Sequence, residues 1–310
     1  MSEGASPPFA HTPYDGSARP FTVGLMPLDP AEWIEPDALL ADHLAEKDRL
    51  LAGAARAPVL LAEEGTADAQ REVLDLLADH LPARFPDLYS REGTRIAIAG
   101  TGRTVDLDEP CDMPLALAAR LVQEDLVLMR RGGTGYRLAA AALFFPSSWS
   151  LAEKFGKPMD AIHAGVPGFN DGRMGPIVAR IFDNLTVERP SWRLNWSLYS
   201  GAGLHHPAPK PVSADGADTS RVDGTREALH VRVERQTLRR LAKSGDILFT
   251  IRIHHDPVAA FAGHPQGAVL AAGLRRQLLA LDAAQLAYKG LTGERDAIAE
   301  ALADLAGGTA

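Results

Sequence analysis

Through the first part of the chain, apolar positions recur every three or four residues. Leu40, Leu44 and Leu51 share one side of a predicted helix over residues 37–51, and Val73, Leu74, Leu77 and Leu81 one side of a second over 67–81, which Pro82 is expected to end. Ahead of them, six prolines from Pro7 to Pro30 make residues 1–30 an extended arm that must lie over another surface. A short strand over 95–99 runs into Gly100-Thr101-Gly102. This imitates a dinucleotide fingerprint until Val105 takes the place of its third glycine, so a Rossmann site is rejected. Leu117, Leu121 and Leu128 then predict a helix over 114–129 that carries Gln123-Glu124-Asp125 and stops at Gly132-Gly133, and residues 136–145 read as a buried strand closed by Pro146.

Residues 146–185 are dense in cap and turn signals. Ser150 and Glu153 fit a capping box, Gly156 and Pro158 break that short helix, a further turn covers 159–163, and Gly165-Val166-Pro167-Gly168 breaks the chain again. Pro176 opens a firmer helix with Ile177, Val178, Ile181, Phe182 and Leu185 on one face. Beyond residue 190 the period becomes two. Leu194, Trp196 and Leu198 alternate with Arg193, Asn195, Ser197 and Tyr199; Leu229, Val231 and Val233 alternate with His230, Arg232 and Glu234; Ile247, Phe249, Ile251 and Ile253 share one side of 246–255. Three neighbouring antiparallel strands are predicted, the first two separated by a surface loop over 206–225. Helices over 266–289 and 293–305 follow. This order argues for an α+β fold, and a strand, short helices and three strands in succession is what a PAS-like sheet would give.

Composition narrows the function. With 46% hydrophobic and 23% charged residues in 310, the chain is of ordinary globular type, large enough for one extended domain or two modest ones. A formal charge of -8 is the wrong sign for a nucleic-acid binder. Lacking an apolar run of the roughly 18 to 20 residues a spanning helix needs, and a secretory pattern at its start, the chain is expected to be cytoplasmic. The single cysteine, Cys111, excludes an internal disulfide, a cysteine-based zinc site and an iron–sulfur cluster of its own; it could offer a thiolate to iron or be an inert packed thiol.

Among ten histidines, His43 and His80 lie on ordinary amphipathic helices, His11 in the arm, and His205, His206 and His264 beside prolines. His163 differs, because Pro158, Gly165 and Pro167 fence its backbone; it is either a satisfied core histidine or an axial ligand or catalytic base. His230 shares a strand face with Arg232 and Glu234, which either lines a pocket or faces solvent. Glu234 and the following Arg235, Arg239 and Arg240 either bind a ligand's carboxylates or form a surface ion network, and Arg193 and Asn195 beside Trp196 pose the same choice.

Several blocks together resemble one family. FFPSSW (144–149), the lysine-glycine-lysine stretch 154–157, IHAGVPGF (162–169), RLNWSLY (193–199), RVERQTLRRL (232–241), LFTIRIHHDP (248–257) and LVQEDLVLM (121–129) are similar to the heme-dependent oxidative N-demethylases, which include heme subunits of dimethylamine monooxygenase. The similarity spans roughly residues 20–290; Gly165, where a larger stiff residue or proline is expected, and the acidic 206–225 loop depart from it. The resemblance implies a PAS-like heme b domain over 91–290, with 1–90 as arm and helices packed on it and 291–310 as a terminal helix and tail. It implies O2-dependent demethylation of a small secondary methylamine such as dimethylamine, releasing formaldehyde. Electrons would come from NAD(P)H through a partner reductase carrying FMN and an iron–sulfur cluster, and the chain could also self-associate. On the same ground His163 becomes the expected iron ligand with His230 in reserve, Arg193, Arg235 and Arg239 the propionate partners, Glu234 the group that orients the amine, and Trp149, Phe169 and Trp196 the porphyrin walls. A PAS-type heme gas sensor and a heme-free binding subunit are the competing expectations.

Overall fold

The structure, a computed structural model, describes residues 8–17, 19–52, 58–208 and 229–307. After a short strand β1 (Met26–Pro27) and a single 3-10 turn come α1 (Leu40–Ala52), β2 (Leu60–Ala62), α2 (Ala67–Arg84), β3 (Tyr89–Glu92), β4 (Arg95–Ile98) and β5 (Arg103–Asp106). The middle of the chain forms α3 (Pro114–Ala119), β6 (Asp125–Gly132), β7 (Gly135–Ala142), α4 (Leu151–Lys154), α5 (Met159–Ile162) and α6 (Met174–Asn184). The long strands β8 (Ser191–Ser200), β9 (Leu229–Arg240) and β10 (Ile247–Pro257) follow, then α7 (Gly267–Leu279), α8 (Ala283–Lys289) and α9 (Arg295–Gly307). A seven-stranded sheet of order β1-β8-β9-β10-β6-β7-β2 carries the architecture, with β3, β4 and β5 in a small second sheet. Its pairs are antiparallel, so the fold is α+β around an antiparallel sheet.

The period-two pattern folds as expected because each strand has two different environments to satisfy. On one face Trp196, Leu198, Val231 and Val233 pack with α7 and α9 and with Tyr14 of the arm; Leu126, Leu128 and Leu248 join Leu44 and Leu74 of α1 and α2 in a larger cluster. The arm does cover another surface, adding β1 to the edge of β8 and stacking Phe9 on Phe261 at 4.2 Å.

Three expectations change. The helix predicted over 114–129 stops at Ala119, and the apolar run from Asp125 is the buried strand β6. Its polar neighbours satisfy backbone instead of facing water: Gln123 accepts from Asp37 N at 3.0 Å, Glu124 from Glu35 N at 3.1 Å, and Asp125 from Phe144 N and Phe145 N at 2.8 and 2.9 Å. Pro82 lies inside α2 rather than at its end, and the Ala78 carbonyl that a proline cannot bond accepts from the Arg91 guanidinium at 3.3 Å. Gly100 and Gly102, at φ of 75° and 68°, make the tight β4–β5 turn. The helix over 266–289 is split: Asp282 accepts from Gln285 N while Gln285 returns to Asp282 N, a full capping box that restarts the chain as α8. Most of the loop expected over 206–225 lies outside the described residues.

Replacing Asp282 with alanine is expected to lower stability by about 1 kcal/mol. A urea midpoint that falls at constant slope would register it, and an unmoved midpoint would mean that the box contributes nothing.

Candidate functional site

Strand register sorts the candidate residues. Arg193, Asn195 and Tyr199 of β8 lie opposite Gln236, Glu234 and His230 of β9, so these positions share the sheet face away from α7 and α9. Leu238 of β9, Phe249 and Ile251 of β10, and Val127 and Met129 of β6 continue the same face. Because the strands run in the order β8-β9-β10-β6-β7, this floor grades from polar at β8 to apolar at β6 and β7. The arm around Phe21, the segment from Ser147 to Phe169, α6 and the end of α8 wall it into a cavity of about 1240 Å³, above the roughly 300–1,000 Å³ common for small-molecule pockets.

His163 lines this cavity as the C-cap of α5. Its Nδ1 donates to the Met159 carbonyl at 2.8 Å, its ring stacks on Phe169 at 4.2 Å, and burial pushes its pKa down to about 4. The ring is therefore a neutral imidazole of fixed tautomer whose Nε2 keeps its lone pair. Lys154 secures the turn below it by donating to the Ile162 carbonyl at 2.6 Å while lying over the Trp149 ring.

At the polar end, Glu234 accepts from Gln236 Nε2 at 2.7 Å, with Asn195 Nδ2 at 3.4 Å. Arg193 also lines the cavity, and its buried Nε has no hydrogen-bond partner among the described residues. Burial weakens its hold on its proton, against the opposing charge of Glu234. Lys289, buried and lowered to about 8 by desolvation, donates to the Trp196 carbonyl at 2.5 Å.

Other expected members lie elsewhere. Arg235, Arg239 and Trp196 point to the opposite sheet face, so the propionate and wall roles expected of them are withdrawn. Arg235 pairs with Glu35 at 2.8 Å and donates to the Trp33 carbonyl at 3.0 Å; Arg239 lies over the Trp33 ring; Trp196 donates to Gln277 at 2.7 Å. His230 shares the cavity face of β9 but stacks on His255 at 4.9 Å, outside the lining. Cys111 is exposed and does not line the cavity.

Several residues to which the sequence reading gave no role support the site. Arg232, fully buried opposite Ser197, donates to Ser147 Oγ at 2.9 Å and to the Phe145 and Leu204 carbonyls at 2.7 and 3.1 Å. With Asp125 it holds the FFPSS segment as the cavity wall. Ser148 takes a φ of 64° there, stabilised by its N–H to His206 O and by its hydroxyl 2.8 Å from Tyr199 OH. Lys47 lies behind this wall, donating to the carbonyls of Ala119, Val122 and Glu124. A smaller depression of about 450 Å³ near Arg130 offers less, since Arg130 is engaged by Asp246, Arg131 by Asp183 and Arg240 by the Phe182 and Leu185 carbonyls.

Compared with known protein families, residues 24–299 match the model HODM_asu-like, described as haem-dependent oxidative N-demethylase, alpha subunit-like.

Proposed function

The chain belongs to the haem-dependent oxidative N-demethylase, alpha subunit-like family, and from that premise we propose that its large cavity holds heme b and that it demethylates a small secondary methylamine. The residues present fit the cofactor. The observation that carries the reading is His163, a neutral half-buried imidazole with Nδ1 tied to Met159 and Nε2 left for iron. The unpartnered Arg193 Nε suits a propionate, and Phe169, Val127, Met129 and Phe249 supply apolar wall for a porphyrin. Bound heme iron would supply oxidation of the methyl group by O2 and reducing equivalents, with formaldehyde and the shortened amine as products.

The chain's own part is positioning. Glu234, kept in place by Gln236 and Asn195, attracts the protonated amine, and in a site this sheltered that attraction is weakly screened. The apolar floor of β10 and β6 leaves the ammonium only the β8 end in which to settle, which turns its methyl group toward the apolar region. The arm and the end of α8 limit the entry of water. With one cysteine the chain cannot hold an iron–sulfur cluster, so the reading assigns electron supply to a partner reductase with FMN, an iron–sulfur cluster and NAD(P)H. A PAS-like heme domain and a cytoplasmic setting belong to the same proposal.

Formaldehyde release by hemin-loaded chain, given a reductant and each of several methylated amines, tests it. Turnover that depends on a secondary amine is expected, and Glu234→Gln should raise KM about 10- to 100-fold while kcat changes less. A Soret band without amine-dependent formaldehyde would favour gas binding instead, and colourless protein would leave only a heme-free binding role.

A further inference from the structure

On the sheet face opposite the cavity, three groups distant in sequence converge. His11 comes from the arm, Glu35 from the segment before α1 and His254 from β10, and their ligand atoms all lie within 4.8 Å of one another. His11 Nε2 is 2.8 Å from Glu35 Oε2, and His254 Nε2 is 3.4 Å from the same oxygen. The His254 side chain is only 10% exposed, yet its buried Nε2 makes no well-formed hydrogen bond. A buried ring nitrogen left in that state needs a partner.

We propose that His11, Glu35 and His254 form a divalent metal site of the zinc class, independent of the heme reading. Two imidazoles and a carboxylate are a zinc-type donor set. With bonds of about 2.0–2.1 Å to a tetrahedral ion, neighbouring donor atoms sit roughly 3.3–3.4 Å apart. The His254–Glu35 separation already matches that edge, and the shorter His11–Glu35 contact, a hydrogen bond in the metal-free state, lengthens when the ion replaces the shared proton. That proton moves to His11 Nδ1, so both rings ligate as neutral imidazoles.

The surroundings favour the arrangement. Arg235 Nε lies 2.8 Å from the other oxygen of Glu35, which fixes the carboxylate and leaves Oε2 to face the histidines. Despite burial, contacts with His11 and His254, together with the Arg235 guanidinium, draw the Glu35 pKa far below the usual carboxylate range. Glu35 is 29% and His11 18% exposed, so a water molecule can reach the fourth position. Because the site lies behind the sheet and away from the cavity, its consequence is structural: the ion ties the arm to β10.

Chelator-stripped, tag-free chain titrated with Zn²⁺ against a chromophoric chelator provides the test, with Co²⁺ as a spectroscopic substitute. One equivalent per chain and tetrahedral ligand-field bands are expected. His254→Ala and His11→Ala should each lose that equivalent, whereas His163→Ala should keep it. His11→Ala leaves the Phe9–Phe261 stack and β1 in place, so it keeps the fold, and Zn²⁺ should raise the melting temperature of the wild type but not of this variant. Wild-type chain that takes up no stoichiometric Zn²⁺, or uptake unaltered in both histidine variants, overturns the proposal and leaves an ion-free hydrogen-bonded cluster.

Discussion

Chain carrying His163→Ala is expected to fold and to fail to retain heme. The side chain sits at the end of a four-residue helix, where its loss removes one of two hydrogen bonds to Met159 O, which keeps the His163 N–H at 3.1 Å, and the stack on Phe169, at a cost of about 1 kcal/mol. That is small against the stability of a chain this size, so far-UV circular dichroism should match the wild type. On the proposed reading heme retention depends on a bond from Nε2 to iron, which a methyl group cannot replace. Hemin-loaded variant should therefore show no Soret band after gel filtration, and added imidazole, small enough to enter the vacated space, should restore part of it. His230→Ala should keep the full band, because His230 stacks on His255 outside the lining. An undiminished Soret band in the His163 variant would move the iron ligand to another residue and remove the main support for the reading.

The second large effect is on stability. Asp125 is 0% exposed, accepts from two backbone N–H groups at 2.8 and 2.9 Å, and has the buried Lys47 and Arg232 as its nearest cations. Burial raises its pKa to about 6, which still leaves a carboxylate at neutral pH. Asp125→Ala would strand both N–H groups and remove part of the counter-charge of two buried cations, leaving Lys47 with Glu124 and Arg232 with Glu234. Removal of one member of such a buried set costs about 3–5 kcal/mol. Urea unfolding should show a loss of that size, and because Phe145, Ser147 and Ser148 wall the cavity, ligand uptake should fall with it. Asp125→Asn, which keeps one acceptor oxygen, should lose less. A loss under about 1 kcal/mol for the alanine variant would mean that water replaces the carboxylate and that the wall does not depend on it.

The strands β8, β9 and β10 were legible in the sequence because alternation survives whenever the two sides of a strand meet different surroundings. What alternation cannot say is which surroundings. Arg193, Asn195 and Glu234 are as polar as solvent-facing residues, and only closure by α5, α6 and the arm makes their face an interior. For the same reason Arg235 and Arg239, grouped with Glu234 by proximity in the chain, lie on the other side: neighbours along a strand are opposites across it. Residues 121–129 misled through Leu117, Leu121 and Leu128, whose spacing fits a helix although a strand buried on both faces is apolar throughout. Gln123 and Glu124 read as a polar string on that helix, yet they bond the backbone of residues 37 and 35, some 86 and 89 positions earlier, and no local pattern encodes such a partner. The match of His11 and Glu35 to His254 is equally hidden, since it depends on where the arm crosses the sheet.

Strand β9 reaches both interiors at once, with Glu234 and Gln236 toward the cavity and Arg235 and Thr237 away from it. Such a strand tolerates exchange of side chains but not of length: an inserted or deleted residue would turn guanidinium groups into the ligand chamber and a carboxylate into the helical layer. Diversification of the cavity lining is thus confined to point changes at alternate rungs, such as Asn195, Ser197 and Gln236, while the intervening rungs stay fixed by their partners behind the sheet.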